Sequence, residues 1–260
     1  MKLSKEVVIA LVILGVVVIS VAFADSKTVK AGRVSTSEAE TKGFALVELF
    51  TSEGCSSCPP ADALVAKMLE ENPQTPIYLM AYHVDYWDRG GWKDAFSDPS
   101  YSRRQEQYGD WLHLSTIYTP QIVVNGKAEL VGSNGTALFK AVSARLRETP
   151  AQSLTMISTV VNGKINIAYQ TNDPLGKSNL VIGLIQKSGQ STVRGGENSG
   201  MTLNHVQIVR KLSVEPLSMT NGTLNLALPG DYRAKEWEVI AFVQDKASGA
   251  VLAAAHCELL

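Results

Sequence analysis

Two cysteines three positions apart, Cys55 and Cys58, stand between a continuous apolar run and a helical pattern, and this placement constrains the chain more than any other feature. The run Phe44 to Phe50, FALVELF, ends at the polar turn Thr51-Ser52-Glu53-Gly54. Such apolarity on both alternating faces belongs to a central strand covered on two sides. Over residues 56–71, Ala61, Leu64, Val65, Met68 and Leu69 recur at helical spacing, with Pro59 and Pro60 near the start. Proline suits a first turn, where an amide would lack an intrahelical partner. The thiols therefore lie where a strand hands over to a helix.

The next segments extend this into one unit. Ile77 to His83 reads as a strand after the breakers Pro73 and Pro76, and the aromatic-rich stretch Tyr86 to Tyr101 leads into a polar helix near residues 99–112. Gln121 to Val124 and Ala128 to Val131 flank Asn125-Gly126, a hairpin turn signal, and Ala137 to Arg147 is amphipathic. The order fits a mixed sheet with a parallel pair joined by a right-handed crossover and a hairpin at one side. After Pro150 helical periodicity gives way to about seven strand-like runs separated by Gly, Asn, Asp and Pro turns. The expected fold is α/β plus all-β: one domain over residues 43–149 and an antiparallel β-sandwich over 150–260.

Composition excludes some partners and sets the compartment. With 24 basic and 25 acidic residues and a net charge of −1, the chain lacks the basic excess that nucleic-acid binding needs. Its 45% hydrophobic content is inflated by Val7 to Ala24, preceded by Lys2 and Lys5 and ending in Ala22-Phe23-Ala24. Residues 1–24 read as a secretory signal peptide cut after Ala24, the alternative being an uncleaved anchor on the outer face of the inner membrane. Residues 25–42 read as a disordered tether. Either way the remainder is exported, periplasmic or secreted, where disulfide chemistry is expected.

A thiol at a helix start is favoured as thiolate by free amides and the helix dipole. Cys55 is thus the expected nucleophile and Cys58 the resolving thiol, the oxidised form being a Cys55–Cys58 disulfide. A zinc half-site would need two more ligands, and only Cys257 and scattered histidines remain. An inert disulfide would close too short a loop to stabilise much. Tyr118-Thr119-Pro120-Gln121 precedes the hairpin; taken with the cysteines, it predicts a cis Thr119–Pro120 bond beside them, leaving the Thr119 backbone to pair with substrate. Trp87, Trp92, Phe96 and Tyr101 read as packing the insertion over the sheet, with a lid over the thiols as the alternative. Asp85, Asp88, Asp94 and Asp98 fit no ordered cation loop. Arg194, Glu197, Asn198 and His205 lie in or just after a Gly-rich loop and read as holding it by hydrogen bonds, the sharper alternative being that the loop docks on the cysteine face and shapes substrate access. Cys257 reads as a buried bystander.

Strand, CxxC at a helix start, strand and Thr-Pro before a hairpin resemble the thioredoxin-like superfamily in its shorter glutaredoxin-like form. VELFTSEGCSSCPPAD, HVDYWDRGGWKDAFSDPSYSRRQEQY, YTPQIVVNG and RGGENSGMTLNHVQIVR are similar to the exported bacterial family called domain of unknown function 1223, over about residues 44–260. The resemblance implies a thioredoxin-like fold and export, and supplies no activity. By likeness to thioredoxins, Glu48 is the expected buried acid that exchanges a proton near Cys58, the alternative being a carboxylate paired with a nearby Lys or hydroxyl. The expected activity is thiol–disulfide exchange on a thiol or disulfide substrate, expected to be protein, with no cofactor required. Two alternatives are a Cu(I) carrier using Cys55, Cys58 and His83, and a binding protein with a silent thioredoxin-like domain.

Overall fold

The computed structural model describes residues 43–173 and 176–259. The expected export segment, 1–24, and tether, 25–42, lie outside the described residues. Strand β1 (Ala45–Thr51) is buried along its length. It runs parallel to β2 (Ile77–His83), with Ala45 opposite Ile77 and Thr51 opposite His83. On its other side it runs antiparallel to β3 (Gln121–Val124). β4 (Ala128–Val131) returns along β3 through Asn125 and Gly126, whose φ angles of 50° and 63° give the turn the twist a tight hairpin demands.

Helices α1 (Pro59–Glu71) and α3 (Gly135–Leu146) cover one face, packing Ala61, Val65, Met68, Leu138 and Val142 on Val47, Leu49 and Ile122. Helix α2 (Pro99–Trp111) covers the opposite face through Tyr101 and Tyr108. It starts where Asp98 accepts the Ser100 N–H at 2.8 Å and Pro99 follows, a cap and a first-turn proline together. Every element expected before residue 150 is present.

The second half supplies seven strands, β5 (Leu154–Val161), β6 (Lys164–Thr171), β7 (Ser178–Thr192), β8 (Thr202–Pro216), β9 (Asn221–Ala227), β10 (Trp237–Asp245) and β11 (Val251–Glu258). Their arrangement departs from a separate sandwich. Only β5, β6 and β9 form a sheet of their own; the other four extend the first sheet to eight strands in the order β11-β10-β7-β8-β2-β1-β3-β4. The seam is parallel, with Ala81 facing Ile208.

The physical reason is the edge that β2 would otherwise expose. An apolar strand buried on both faces leaves a row of unpaired N–H and C=O groups if nothing lies beside it. Strand β8 lies there, and the core continues across the seam. Phe50, Met80 and Tyr82 share one cluster with Val181, Val209 and Phe242. The alternate residues Leu180, Ile182, Trp237 and Val239 face Ile165 and Ile167 of the small sheet, a sandwich-like layer confined to one end. The described residues belong to one compact unit, so residue 150 is not a break in the sheet. Among the described residues no helix is long and apolar enough to cross a membrane.

Glu48 joins the two halves. Alternation along β1 turns it toward α2, with Leu46 and Phe50. Arg104 Nε donates to Glu48 Oε1 at 2.6 Å, and the Tyr108 hydroxyl donates to the other oxygen. The Arg104 guanidinium lies over the Tyr108 and Phe242 rings, 5.0 and 5.1 Å from their centroids, and donates to Gln244 Oε1 of β10 at 3.2 Å. This corrects the expected proton-relay role. The Glu48 carboxylate lies on the face of β1 opposite α1, and both its oxygens are occupied. Removing one member of a buried pair strands the other charge, so Arg104→Ala is expected to lower the unfolding free energy in urea by about 3–5 kcal/mol. The paired change Arg104→Met with Glu48→Leu should recover most of that loss.

Candidate thiol site

Beyond β1 the chain makes a turn before it enters the helix. Cys55 N–H donates to the Ser52 carbonyl at 3.2 Å and Cys58 N–H to the Cys55 carbonyl at 3.1 Å. Cys58 is the N-cap residue of α1, its carbonyl accepting from Ala61 and Asp62 N–H at 2.8 and 3.1 Å. The helix therefore begins at Pro59, later than the apolar spacing suggested. Pro59 and Pro60 carry no N–H, so the first turn offers fewer amide donors to a sulfur than a helix normally does.

Neighbouring side chains take over that role. The Cys58 thiol hydrogen-bonds the Cys55 sulfur; with Ser57 and Thr119 it outweighs burial and brings the Cys55 thiol down to about 6. Ser57 Oγ lies 3.3 Å from Cys55 Sγ. Burial and then the adjacent Cys55 push Cys58 far above the usual thiol range. Both residues are free thiols, 1% and 0% exposed, so the structure is that of the dithiol form. The pair holds one thiolate beside one proton donor.

The Thr119–Pro120 bond is cis, and the Thr119 carbonyl lies 3.8 Å from Cys55 Sγ. The sequence reading and the structure agree on this juxtaposition. Gly132 makes it sterically possible: a Cβ there would stand 2.9 Å from Pro120 Cβ and 3.1 Å from Ala61 Cβ. The bare backbone lets the end of β4, the proline loop and α1 meet.

His83 is placed differently. Its Nδ1 is 2.7 Å from Asp94 Oδ2, with both side chains fully buried. Among the described residues, the one group of three His, Cys, Asp or Glu ligand atoms within 4.8 Å of one another is Glu238, His256 and Glu258, on β10 and β11. Cys55, Cys58 and His83 therefore do not converge as a Cu(I) site would require. The aspartates of the insertion hold its own turns: Asp88 accepts from Ser97 Oγ at 2.8 Å, and Asp98 caps α2. Burial alone would raise Asp94, but His83 and the Glu53 and Phe96 amides hold it below its ordinary value. Cys257 is buried in β11, and burial raises it to about 11, as befits an unreactive thiol.

The loop between β7 and β8 docks on the cysteine turn, the sharper of the two readings of its polar residues. Asn198 Nδ2 donates to the Glu53 and Cys55 carbonyls at 2.9 and 3.0 Å, and Glu197 accepts the Ser56 N–H at 2.9 Å. Behind it, buried Glu53 accepts from Trp92 Nε1 at 2.6 Å and lies 3.4 Å from His205 Nε2. One wall of the thiol site thus comes from the second half of the chain.

A family model described as "Protein of unknown function (DUF1223)" matches residues 46–244. The chain belongs to the DUF1223 family. A crystal structure of a protein from Agrobacterium tumefaciens, 25% identical, matches with a TM-score of 0.66 over 85% of this chain and 96% of that one. The large mixed sheet with its second antiparallel sheet is therefore a fold shared with a solved protein. A domain of the outer membrane lipoprotein Omp28 from Porphyromonas gingivalis is 15% identical, covering 42% of this chain and 88% of its own, with a TM-score of 0.29. A β-glucuronidase from Ruminococcus gnavus is 10% identical over 42% of this chain and 16% of its own, with a TM-score of 0.23. Neither score bears on fold or function. A search of curated proteins finds no match.

In this DUF1223 chain the acid beside the thiols is one that pattern reading passed over. Asp62 stands four residues after Cys58, one helical turn on, and is 6% exposed. It accepts from Thr51 Oγ1 at 3.1 Å, and the same hydroxyl meets the Cys58 thiol. The available signal was an acid on the Ala61–Val65 side of α1. Burial pushes Asp62 up to about 7. Unfolded, it ionises near 4, so the folded state keeps a proton the unfolded chain has lost, and stability falls as pH rises from about 4 to about 7. Asp62→Asn removes that dependence. Its stability relative to wild type, from urea denaturation, is expected to improve by about 1.4 kcal/mol per pH unit across this window and to level off above it.

Proposed function

We propose that this protein is an exported thiol–disulfide oxidoreductase whose first half is thioredoxin-like. The observation that carries the reading is the Cys55 sulfur, favoured as thiolate, with the Cys58 thiol on one side and the Thr119–Pro120 loop on the other. The strand order β2-β1-β3-β4, with β1 and β2 parallel and β3 reversed, supports the thioredoxin-like assignment. An export segment over residues 1–24 would place the pair in an oxidising compartment.

The chemistry follows from unequal thiols. The Cys55 thiolate attacks one sulfur of a substrate disulfide, forming a mixed disulfide and expelling the other sulfur as thiolate. Cys58 then gives its proton through the Thr51 hydroxyl toward Asp62, attacks Cys55 Sγ and forms the Cys55–Cys58 disulfide. The second substrate sulfur leaves as thiolate. Substrate gains two electrons and the protein dithiol loses two; the reverse sequence oxidises a dithiol substrate. Asp62, near neutrality when buried, suits both directions. Asn198 fixes the Cys55 carbonyl, and with it the turn that aims the sulfur.

The test is trapping. Cys58→Ser is expected to retain a small aromatic disulfide as a covalent adduct by mass spectrometry, Cys55→Ser to retain none, and wild type to release it. Alkylation of wild type should rise with pH about a midpoint near 6. A Cys58→Ser protein that takes up no adduct would remove the exchange reading.

A further inference from the structure

Building on that exchange reading, we propose that Trp87 gates the thiol site and limits its substrates to low-molecular-weight disulfides. Ser56 and Ser57 are exposed, yet Cys55 beside them is 1% exposed. What covers it is identifiable. A Cβ on Gly54 would stand 3.2 Å from Trp87 Cβ, so Trp87 begins directly over the turn that leads into Cys55. Its indole Nε1 donates to Thr119 Oγ1 at 2.7 Å, and the Thr119 carbonyl lies 3.8 Å from the Cys55 sulfur. The indole thus reaches from the cysteine turn to the proline loop, the two segments that flank the Cys55 sulfur.

The backbone around the gate is fixed. Gly90 N–H donates to the Trp87 carbonyl at 2.9 Å and Asp88 N–H to the Asp85 carbonyl at 3.0 Å. The Asp88 carboxylate ties the turn to the Asp94 amide at 3.2 Å. On the far wall Asn198 is bonded to the cysteine turn, and the Gly195 backbone packs so closely on Gly91 that a Cβ would stand 2.4 Å from its carbonyl oxygen. With both walls held, opening amounts to rotating one side chain and breaking one hydrogen bond. Exchange needs the attacking sulfur in near contact with the target sulfur and in line with the bond it breaks. A small disulfide passes a side-chain-sized opening. A cystine flanked by the backbone of a folded protein meets the indole even when it has rotated, and needs the ring out of the gap altogether.

The experiment compares 2-hydroxyethyl disulfide with insulin as oxidants of the reduced full-length protein, following loss of the Cys55 thiol, in wild type, Trp87→Phe and Trp87→Ala. Wild type is expected to prefer the small disulfide by about 100-fold or more, and Trp87→Ala to cut that ratio at least about tenfold. Trp87→Phe, which keeps the ring and loses the N–H, should fall between, and gives a conservative second reading. Similar wild-type rates with both disulfides, or a ratio unmoved in both variants, would overturn the gate while leaving exchange intact. No reaction with either disulfide in any of the three proteins would overturn exchange itself, and the gate with it.

Discussion

The Glu48–Arg104 pair holds the two halves of this protein in one sheet, and the thiol site depends on that union. A carboxylate in the middle of a buried strand is tolerable only with a charged, hydrogen-bonded partner. Arg104 supplies one from α2, and its remaining donors reach Tyr108 and, across the seam, Gln244 of β10. Because β1, α2 and β10 share this network, β7 and β8 stay aligned with β2, and the loop between them reaches the cysteine turn. Asn198 and Glu197 can then close hydrogen bonds on residues more than a hundred positions earlier.

Around the thiols, short-range contacts replace what a helix terminus usually contributes. Two prolines at the start of α1 take away amide donors, while Cys58, Ser57 and Thr119 surround the Cys55 sulfur. Local partners act on one sulfur and leave its neighbour to burial, so the two thiols separate in acidity. That asymmetry makes the pair a nucleophile and a resolving thiol. The buried carboxylates behind the turn are handled the same way, Glu53 by His205 and Trp92 and Asp94 by His83.

Much of this was legible from residue order. The periodicity of residues 44–147 placed three helices and four strands, and Asn125-Gly126 and Thr119-Pro120 marked the hairpin and the loop facing Cys55. The seven strands after Pro150 were legible too, but their partners were not. Strand pairing between Ala81 and Ile208 joins positions far apart in the chain, and local pattern carries no register information at that distance. Glu48 and Asp62 show the same limit within the site. Both are lone acids in apolar patterns, and only the face each occupies separates a structural ion pair from a group beside the thiols.

The central claim is that Cys55 and Cys58 form a reactive couple and not an inert bridge. The most direct measurement is the reduction potential of the isolated protein, by equilibration in thiol–disulfide buffers with the redox state read by mass. A thiolate favoured in the dithiol form makes the disulfide easier to reduce. The account predicts one two-electron transition between about −270 and −120 mV, the span of reactive CxxC proteins. A potential below about −300 mV, where structural disulfides lie, would contradict it.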